Sequence, residues 1–383
     1  MTSNERVLEA LMHREPDRVP FDLSSTLVTG IHWKAYEKLR DHLGLPKQKV
    51  ELFDLVQGLG RVHDDVLAAL KVDTRGVLTG NPLGWKLDLE ETPEYEQFTD
   101  VWDVSWRRPK PHGLYFDMVK HPLKGCTLEE AKRYKWPNPK DEHRLRGLKE
   151  EASKLAKTDA LVVLGTVGMT VGLLQTFQWL LGFEDSYCAL AADPTLTDYI
   201  VQKLAELDIE FWEWAIPYLG DDIRVILYAD DFGMQTGPIF SYETFKRFFK
   251  PWYSKIFSVI KKQKADLFIF FHTCGSSRYI IPDLIESGVD ILNPVQFTSK
   301  DMDPARLKRD FGKDVTFWGG GIDTQYTLPR GTVEQVKEEV RKRIDDFAPG
   351  GGFVFNTVHN IQADVPPGNI MAMWEALQKY GGY

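Results

Sequence analysis

The sequence predicts a closed barrel of eight parallel strands wrapped by helices, a (β/α)8 or TIM barrel with a Pro/Trp-rich insertion after its second strand. Short apolar runs bounded by turn residues occur eight times, near 18–23, 74–79, 160–166, 223–229, 266–271, 289–293, 315–319 and 352–357. Segments of helical periodicity lie between most of them, at 4–13, 31–42, 143–157, 194–218, 242–262, 303–311 and 333–347, with a closing helix near 367–380. The runs, such as Arg224-Val225-Ile226-Leu227-Tyr228 and Val315-Thr316-Phe317-Trp318, are nearly continuously apolar, as strands covered on both faces require. Such alternation means parallel strands joined by helical crossovers.

The elements follow in order. The run 18–23 comes after an opening helix and before the helical segment 31–42. The second run, 74–79, leads into the stretch where the period breaks. Between about 80 and 140, Pro82, Pro93, Pro109, Pro111, Pro122, Pro137 and Pro139 accompany Trp85, Trp102, Trp106 and Trp136. Prolines at that density exclude a continuous helix. Residues 86–107 read as a hairpin, and the whole excursion is expected on the barrel's active face as a lid, a partner-binding surface or a packed cover. The remaining runs alternate with helices to the end, so 1–383 is expected to be one domain.

Composition narrows the function. Hydrophobic residues make up 43% of the chain and charged residues 27%, which suits a large core without disordered tracts. A net charge of -9 opposes binding to nucleic acid or to an anionic membrane. The basic run Lys261-Lys262-Gln263-Lys264 is expected to be a solvated helix end. No apolar stretch follows the charges of Met1-Thr2-Ser3-Asn4-Glu5-Arg6, and no segment approaches the roughly 20 apolar residues of a membrane span, so a cytoplasmic location is expected. The cysteines Cys126, Cys188 and Cys274 are too few for a disulfide framework. Cys126 and Cys188 lack ligand-like neighbours and are expected to pack.

Cys274 differs. In Phe268-Ile269-Phe270-Phe271-His272-Thr273-Cys274-Gly275 an apolar run ends in an imidazole and a thiol two positions apart. Residues i and i+2 of a strand share a face, so His272 and Cys274 can converge on one metal ion. A third ligand is expected from His359, which ends the similar run Gly352-Phe353-Val354-Phe355-Asn356-Thr357-Val358-His359. Imidazole and thiolate suit zinc better than magnesium or calcium, and three protein ligands leave an open position for catalysis. Asp230 and Asp231 should diverge on a strand, one facing the mouth and the other capping the following structure. Asp231 is a candidate for a fourth ligand, a partner fixing a histidine tautomer, or a proton relay, against a turn-capping role. Glycines 319 to 321 form only a weak phosphate signature. Asp54, in Glu51-Leu52-Phe53-Asp54-Leu55, is expected to be a surface-facing carboxylate of a helical segment. No Gly-x-Ser-x-Gly elbow occurs, so serine-hydrolase chemistry is unsupported. Cys274 as a nucleophile with His359 as its base is a lesser alternative.

Together these motifs resemble the uroporphyrinogen decarboxylase superfamily. The resemblance rests on Glu5-Arg6-Val7-Leu8-Glu9-Ala10-Leu11, Arg14-Glu15-Pro16-Asp17-Arg18-Val19-Pro20, Ala229-Asp230-Asp231-Phe232-Gly233, Gln235-Thr236-Gly237-Pro238, His272-Thr273-Cys274-Gly275 and Val365-Pro366-Pro367-Gly368-Asn369. It implies a (β/α)8 barrel and one of two chemistries. True decarboxylases carry an arginine-rich loop near the N-terminus that grips substrate carboxylates, where this chain has Phe21-Asp22-Leu23-Ser24-Ser25-Thr26. The other branch comprises zinc-dependent methyltransferases that work with corrinoid proteins, among them coenzyme M methyltransferases and O-demethylases. Their thiol-methylating members use a His-x-Cys pair and a later cysteine; here the pair falls on His272 and Cys274, and His359 stands at the later position. A neutral imidazole in place of a thiolate makes a stronger Lewis acid, suited to polarising an ether oxygen. The resemblance therefore implies a methyltransferase with zinc on His272, Cys274 and His359 and Asp231 and His359 in catalytic roles. Its partners would be a small methylated substrate, foremost an aromatic methyl ether, and a separate corrinoid (cobalamin) protein whose Co(I) takes the methyl group. The alternatives are a decarboxylase-like lyase and a barrel that only binds a small ligand.

Overall fold

The computed structural model describes residues 1–165 and 169–383. Seven strands form one parallel sheet in simple chain order: β1 (Thr74–Val77), β2 (Leu161–Leu164), β3 (Ile223–Ala229), β4 (Phe268–His272), β5 (Ile291–Asn293), β6 (Thr316–Trp318) and β7 (Phe353–Val354). The fold is TIM-barrel-like. Residue 166, the expected end of the third run, lies outside the described residues.

The expected first strand, 18–23, is not a regular strand. It keeps two isolated bridges, Arg18 antiparallel to Gly382 and Phe21 parallel to Phe355. The Asp22 N–H donates to the Phe355 carbonyl (2.9 Å), the Phe355 N–H to the Pro20 carbonyl (2.8 Å), and the Asp73 N–H to the Phe21 carbonyl (2.8 Å). The two edges of the sheet thus meet through Pro20–Asp22. The cause is local: Pro20 has no N–H to give, and the Phe21 N–H goes to the Asp73 carboxylate (2.8 Å) instead of to a ladder.

Strand parity sorts the side chains. Leu161, Val163, Val225, Leu227, Phe270, Ile291, Trp318 and Val354 form one buried cluster inside the sheet's curve, plugged by Val7, Ala10 and Leu11 of the N-terminal helix Ser3–Leu11. Their neighbours Val162, Ile226, Tyr228, Phe271, Leu292, Phe317 and Phe353 join the larger core under the outer helices. Period two therefore makes both faces apolar, which explains the continuous hydrophobic runs.

Each expected helical segment contains helix, from Ser3–Leu11 and Trp33–His42 to Val333–Phe347 and Pro367–Tyr380. Reciprocal capping boxes, Thr2 with Glu5 and Thr332 with Gln335, start two of them. The segment 242–262 is split into Tyr242–Phe248 and Lys250–Gln263, where Pro251 opens the second helix. Leu173–Leu181 and Phe183–Ala192 were not expected; the first is buried almost all round, so no polar face marks its period.

The insertion is a four-stranded antiparallel sheet, Glu90–Glu91, Tyr95–Thr99, Ser105–Pro109 and Asp117–Lys120. The expected hairpin corresponds to its two central strands. Asp100 organises their turn by accepting from the Trp102 and Val104 N–H groups (2.8 and 3.0 Å) and from Trp106 Nε1 (2.8 Å). Among the described residues, no helix is long and apolar enough to cross a membrane.

Candidate metal centre

Parity brings the donors together. His272 follows inward-facing Phe270 by two positions at the end of β4, and its register partners are Ala229 on β3 and Asn293 on β5. Cys274 lies two residues further on, in the loop. The Cys274 Sγ is 3.2 Å from His272 Nε2, and the His359 ring meets that of His272 edge to face at 5.4 Å between centroids. One ligand atom from each of the three lies within 4.8 Å of the others. The structure thus joins the three residues that the strand ends suggested.

The tautomer of His272 is fixed by Asn293, its register partner at the end of β5. Asn293 Nδ2 donates to the Trp318 carbonyl (2.6 Å), so its Oδ1 must face His272 Nδ1, 2.5 Å away. Nδ1 then carries the proton, and Nε2 presents its lone pair to Cys274 and His359. A cation between these donors fits the site.

Electrostatics point the same way. Burial pushes the His272 imidazole down, and burial together with His272 pushes His359 down to about 4, so both rings are neutral ligands at neutral pH. Burial and the Asp231 carboxylate push the Cys274 thiol well up. A raised thiol beside an imidazole held near 4 is a poor nucleophile and base pair, whereas a dication would reverse the cost of the thiolate.

The Asp pair diverges as parity demands. Asp231 continues the inward face of Leu227 and Ala229; its Oδ1 accepts the Cys274 N–H (2.8 Å) and lies 3.7 Å from His272 Nε2, outside the three-donor cluster. Asp230 faces the helices and is fully buried. It caps Leu173–Leu181, which precedes it in the chain, not the structure that follows, as had been expected. Its carboxylate accepts from the Leu174 and Gln175 N–H groups (2.8 and 2.7 Å) and from the Tyr253 hydroxyl (2.5 Å). Gly172, the N-cap of that helix, permits this: a Cβ there would stand 2.2 Å from the Ala229 carbonyl oxygen. Gly275 serves Cys274 similarly, at φ +76° with the Gly233 backbone where a Cβ would go.

The cluster opens into a cavity of about 520 Å³. Its barrel wall includes Ala229, Asp231, His272 and His359; the facing residues include Trp106, Phe116 and Met118 from the insertion and Trp179 and Phe183 from the unexpected helices. Trp106 packs edge to face on Trp179 at 5.0 Å. A larger open groove, about 1030 Å³, lies between Phe297–Arg306 and Val333–Phe347 and contains none of the cluster residues.

Two expectations are corrected here. Asp54 is in a short strand, Leu52–Asp54, paired with Leu59–Gly60, and lines the cavity rather than facing solvent from a helix. Cys126 packs against the core, but Cys188 is exposed. Glycines 319 to 321 contact the Asn293–Val295 and Phe355–Thr357 backbones and side chains, and do not line the cavity.

Comparison with known proteins gives the family. The family model described as Uroporphyrinogen decarboxylase (URO-D) matches residues 118–380. The chain belongs to this family. The uroporphyrinogen decarboxylase of Geobacter metallireducens is 21% identical over 280 residues, spanning 70% of this URO-D chain and 76% of its own length. That of Legionella pneumophila strain Lens is 29% identical over 176 residues, 46% of this chain and 47% of its own. A solved methyltransferase from Methanosarcina mazei superposes over 99% of both chains with a TM-score of 0.65 at 18% identity, which establishes a shared fold.

Proposed function

We propose that this URO-D-family protein is a zinc-dependent methyltransferase that moves a methyl group from a small, uncharged methylated substrate, foremost an aromatic methyl ether, to the Co(I) corrinoid of a separate protein. The fold is read as a complete (β/α)8 barrel with Pro20–Asp22 as its degenerate first strand. The observation that carries the reading is the convergence of His272 Nε2, Cys274 Sγ and His359, with the His272 tautomer set by Asn293. Bound there, zinc would supply Lewis acidity at the ether oxygen.

The chain's own residues would align the substrate. Trp106, Phe116, Trp179 and Phe183 offer flat apolar surface to a ring, and Asp231 holds the Cys274 backbone in place. The names of the curated relatives favour a decarboxylase instead. Against it, the described residues lining the cavity include no lysine or arginine, whereas a polycarboxylate needs charge-assisted partners.

Zinc analysis by mass spectrometry on untagged wild type and Cys274→Ser, with methyl transfer from methoxybenzenes to a reduced corrinoid acceptor, tests the reading. About one zinc per wild-type chain, with most zinc and turnover lost in a folded Cys274→Ser, is expected. Full zinc and rate in the variant would overturn the site. Zinc and ligand binding without transfer would favour a barrel that only binds.

A further inference from the structure

Three carboxylates line the cavity, Asp54, Asp117 and Asp231. Asp231 is engaged with Cys274, and Asp117 is exposed on the outer strand of the insertion. Asp54 is half-buried and braced. Its Oδ1 accepts the Gln57 backbone N–H (2.9 Å) and its Oδ2 accepts Gln57 Nε2 (3.0 Å). Gln57 has no freedom to turn: Nε2 also donates to the Leu27 carbonyl (3.1 Å), and Oε1 accepts from Asn360 Nδ2 (2.8 Å). Asn360 is itself held by the Leu27 carbonyl (3.0 Å) and the Gly30 N–H (2.5 Å), and it follows His359 directly in the chain.

Two side-chain links therefore fix the Asp54 carboxyl relative to the arm that carries His359. A carboxylate has about four acceptor sites. Gln57 fills one on each oxygen, and no ion pair to Asp54 is found among the described residues. A rigid, partly free carboxyl on the wall of a cavity that also presents Trp106, Phe116, Trp179 and Phe183 can accept a hydrogen bond from a ligand, and it repels an anion.

Building on the methyltransferase reading, we propose that Asp54 is the specificity-determining residue that reads a hydroxyl group on an uncharged aromatic substrate. The protein then selects methoxyphenols over methoxybenzoates and over rings that carry only ethers. Burial raises the Asp54 carboxyl, which is consistent with a partner that is itself uncharged. The discrimination lies in the acceptor: Asp54 takes a hydrogen bond from a hydroxyl, which a ring carrying only ethers cannot give and an ionised benzoate cannot replace.

Trp106 and Trp179 line the same cavity, so quenching of tryptophan fluorescence reports binding without turnover. Zinc-loaded wild type, Asp54→Asn and Asp54→Leu are titrated with guaiacol (a methoxyphenol), veratrole (its fully methylated analogue) and ortho-anisate (a methoxybenzoate). Wild type should bind guaiacol about tenfold more tightly than either other ligand. Asp54→Leu should lose that preference while keeping veratrole affinity, and Asp54→Asn, which retains an acceptor for the Gln57 backbone, should keep part of it. Circular dichroism and zinc content check folding; should Asp54→Leu fail that check, Asp54→Asn carries the test, with a preference equal to wild type overturning the proposal. An unchanged preference in folded Asp54→Leu, tightest binding of anisate, or no quenching by any of the three would equally overturn it. Asp54-dependent guaiacol binding without methyl transfer refutes the methyltransferase reading and leaves this one standing. Equal transfer from guaiacol and veratrole by wild type and Asp54→Leu does the reverse.

Discussion

The two walls of the cavity are built by opposite means. On the barrel wall, His272 stands at a strand end whose register with β3 and β5 sets its position, and Asn293 sets its ring. The opposing wall is made by side chains meeting across elements: Trp106 of the insertion on Trp179 of a helix, and Phe116 on Phe98 at 5.3 Å. Backbone ladders give the first wall sub-ångström definition, which a metal requires; side-chain packing gives the second a shape, which a ligand requires. The difference teaches a division of roles. Substitutions on the polar wall should change metal binding and turnover, and those on the aromatic wall should change ligand affinity with the metal retained.

The largest effect that tests this division is expected at Asn293. Asn293→Leu removes the acceptor that fixes His272 Nδ1–H and the donor that pairs with the Trp318 carbonyl. Zinc affinity should fall about 10- to 100-fold, measured by competition with a chromogenic chelator. Wild-type affinity would mean that His272 is oriented without Asn293, and the contrast between the walls would lose its basis.

A smaller and opposite effect is expected at Trp106. Trp106→Ala forfeits the edge-to-face contact with Trp179 and the Nε1 bond to Asp100, and opens the cavity. Ligand affinity should weaken about tenfold, equivalent to about 1.4 kcal/mol, with zinc content unchanged. Trp106→Phe, which keeps an aromatic face, should recover part of it. Zinc lost in parallel with ligand would show that the insertion supports the metal wall, and the two walls would be one unit.

This contrast also decides what was legible in the sequence. His272 and Cys274 were readable because a polar pair interrupts a continuous apolar run, and period two then dictates convergence. His359 repeated that layout. The divergence of Asp230 and Asp231 followed from the same period, but the target of Asp230 did not, because the capped N–H of Leu174 lies 56 positions earlier, in a helix that starts at a glycine with no side chain to cap it. Asp54 was misread because a three-residue strand has no period to detect, and its brace reaches Asn360 across 303 positions from Gln57. The strand expected at 18–23 failed on specific competition, the Asp73 carboxylate for the Phe21 N–H. The pairing of Trp106 with Trp179 had no local signal at all, since aromatic residues mark core and cavity alike.

A different kind of effect, on folding stability, is expected at the joint between the walls. Asp230 leaves the end of β3 and caps the helix that carries Gln175 and Trp179 into the cavity. Burial pushes its carboxyl up to about 7, although the Tyr253 hydroxyl and two backbone N–H groups act against that rise. An unfolded aspartate titrates near 4. Between about pH 4 and 7 the unfolded chain therefore ionises while the folded carboxyl keeps its proton, so this group's contribution is fully present below about pH 4 and is lost as pH rises through about 7. Asp230→Asn removes that slope and, by turning one acceptor oxygen into an amide, costs about 1 kcal/mol of hydrogen bonding. Urea midpoints measured across this range should show wild type most favoured over the variant at the acid end, with the gap closing toward neutral pH. Parallel curves would mean that Asp230 is ionised in the folded protein throughout, and that the joint is held by a charged cap whose strength does not change with pH.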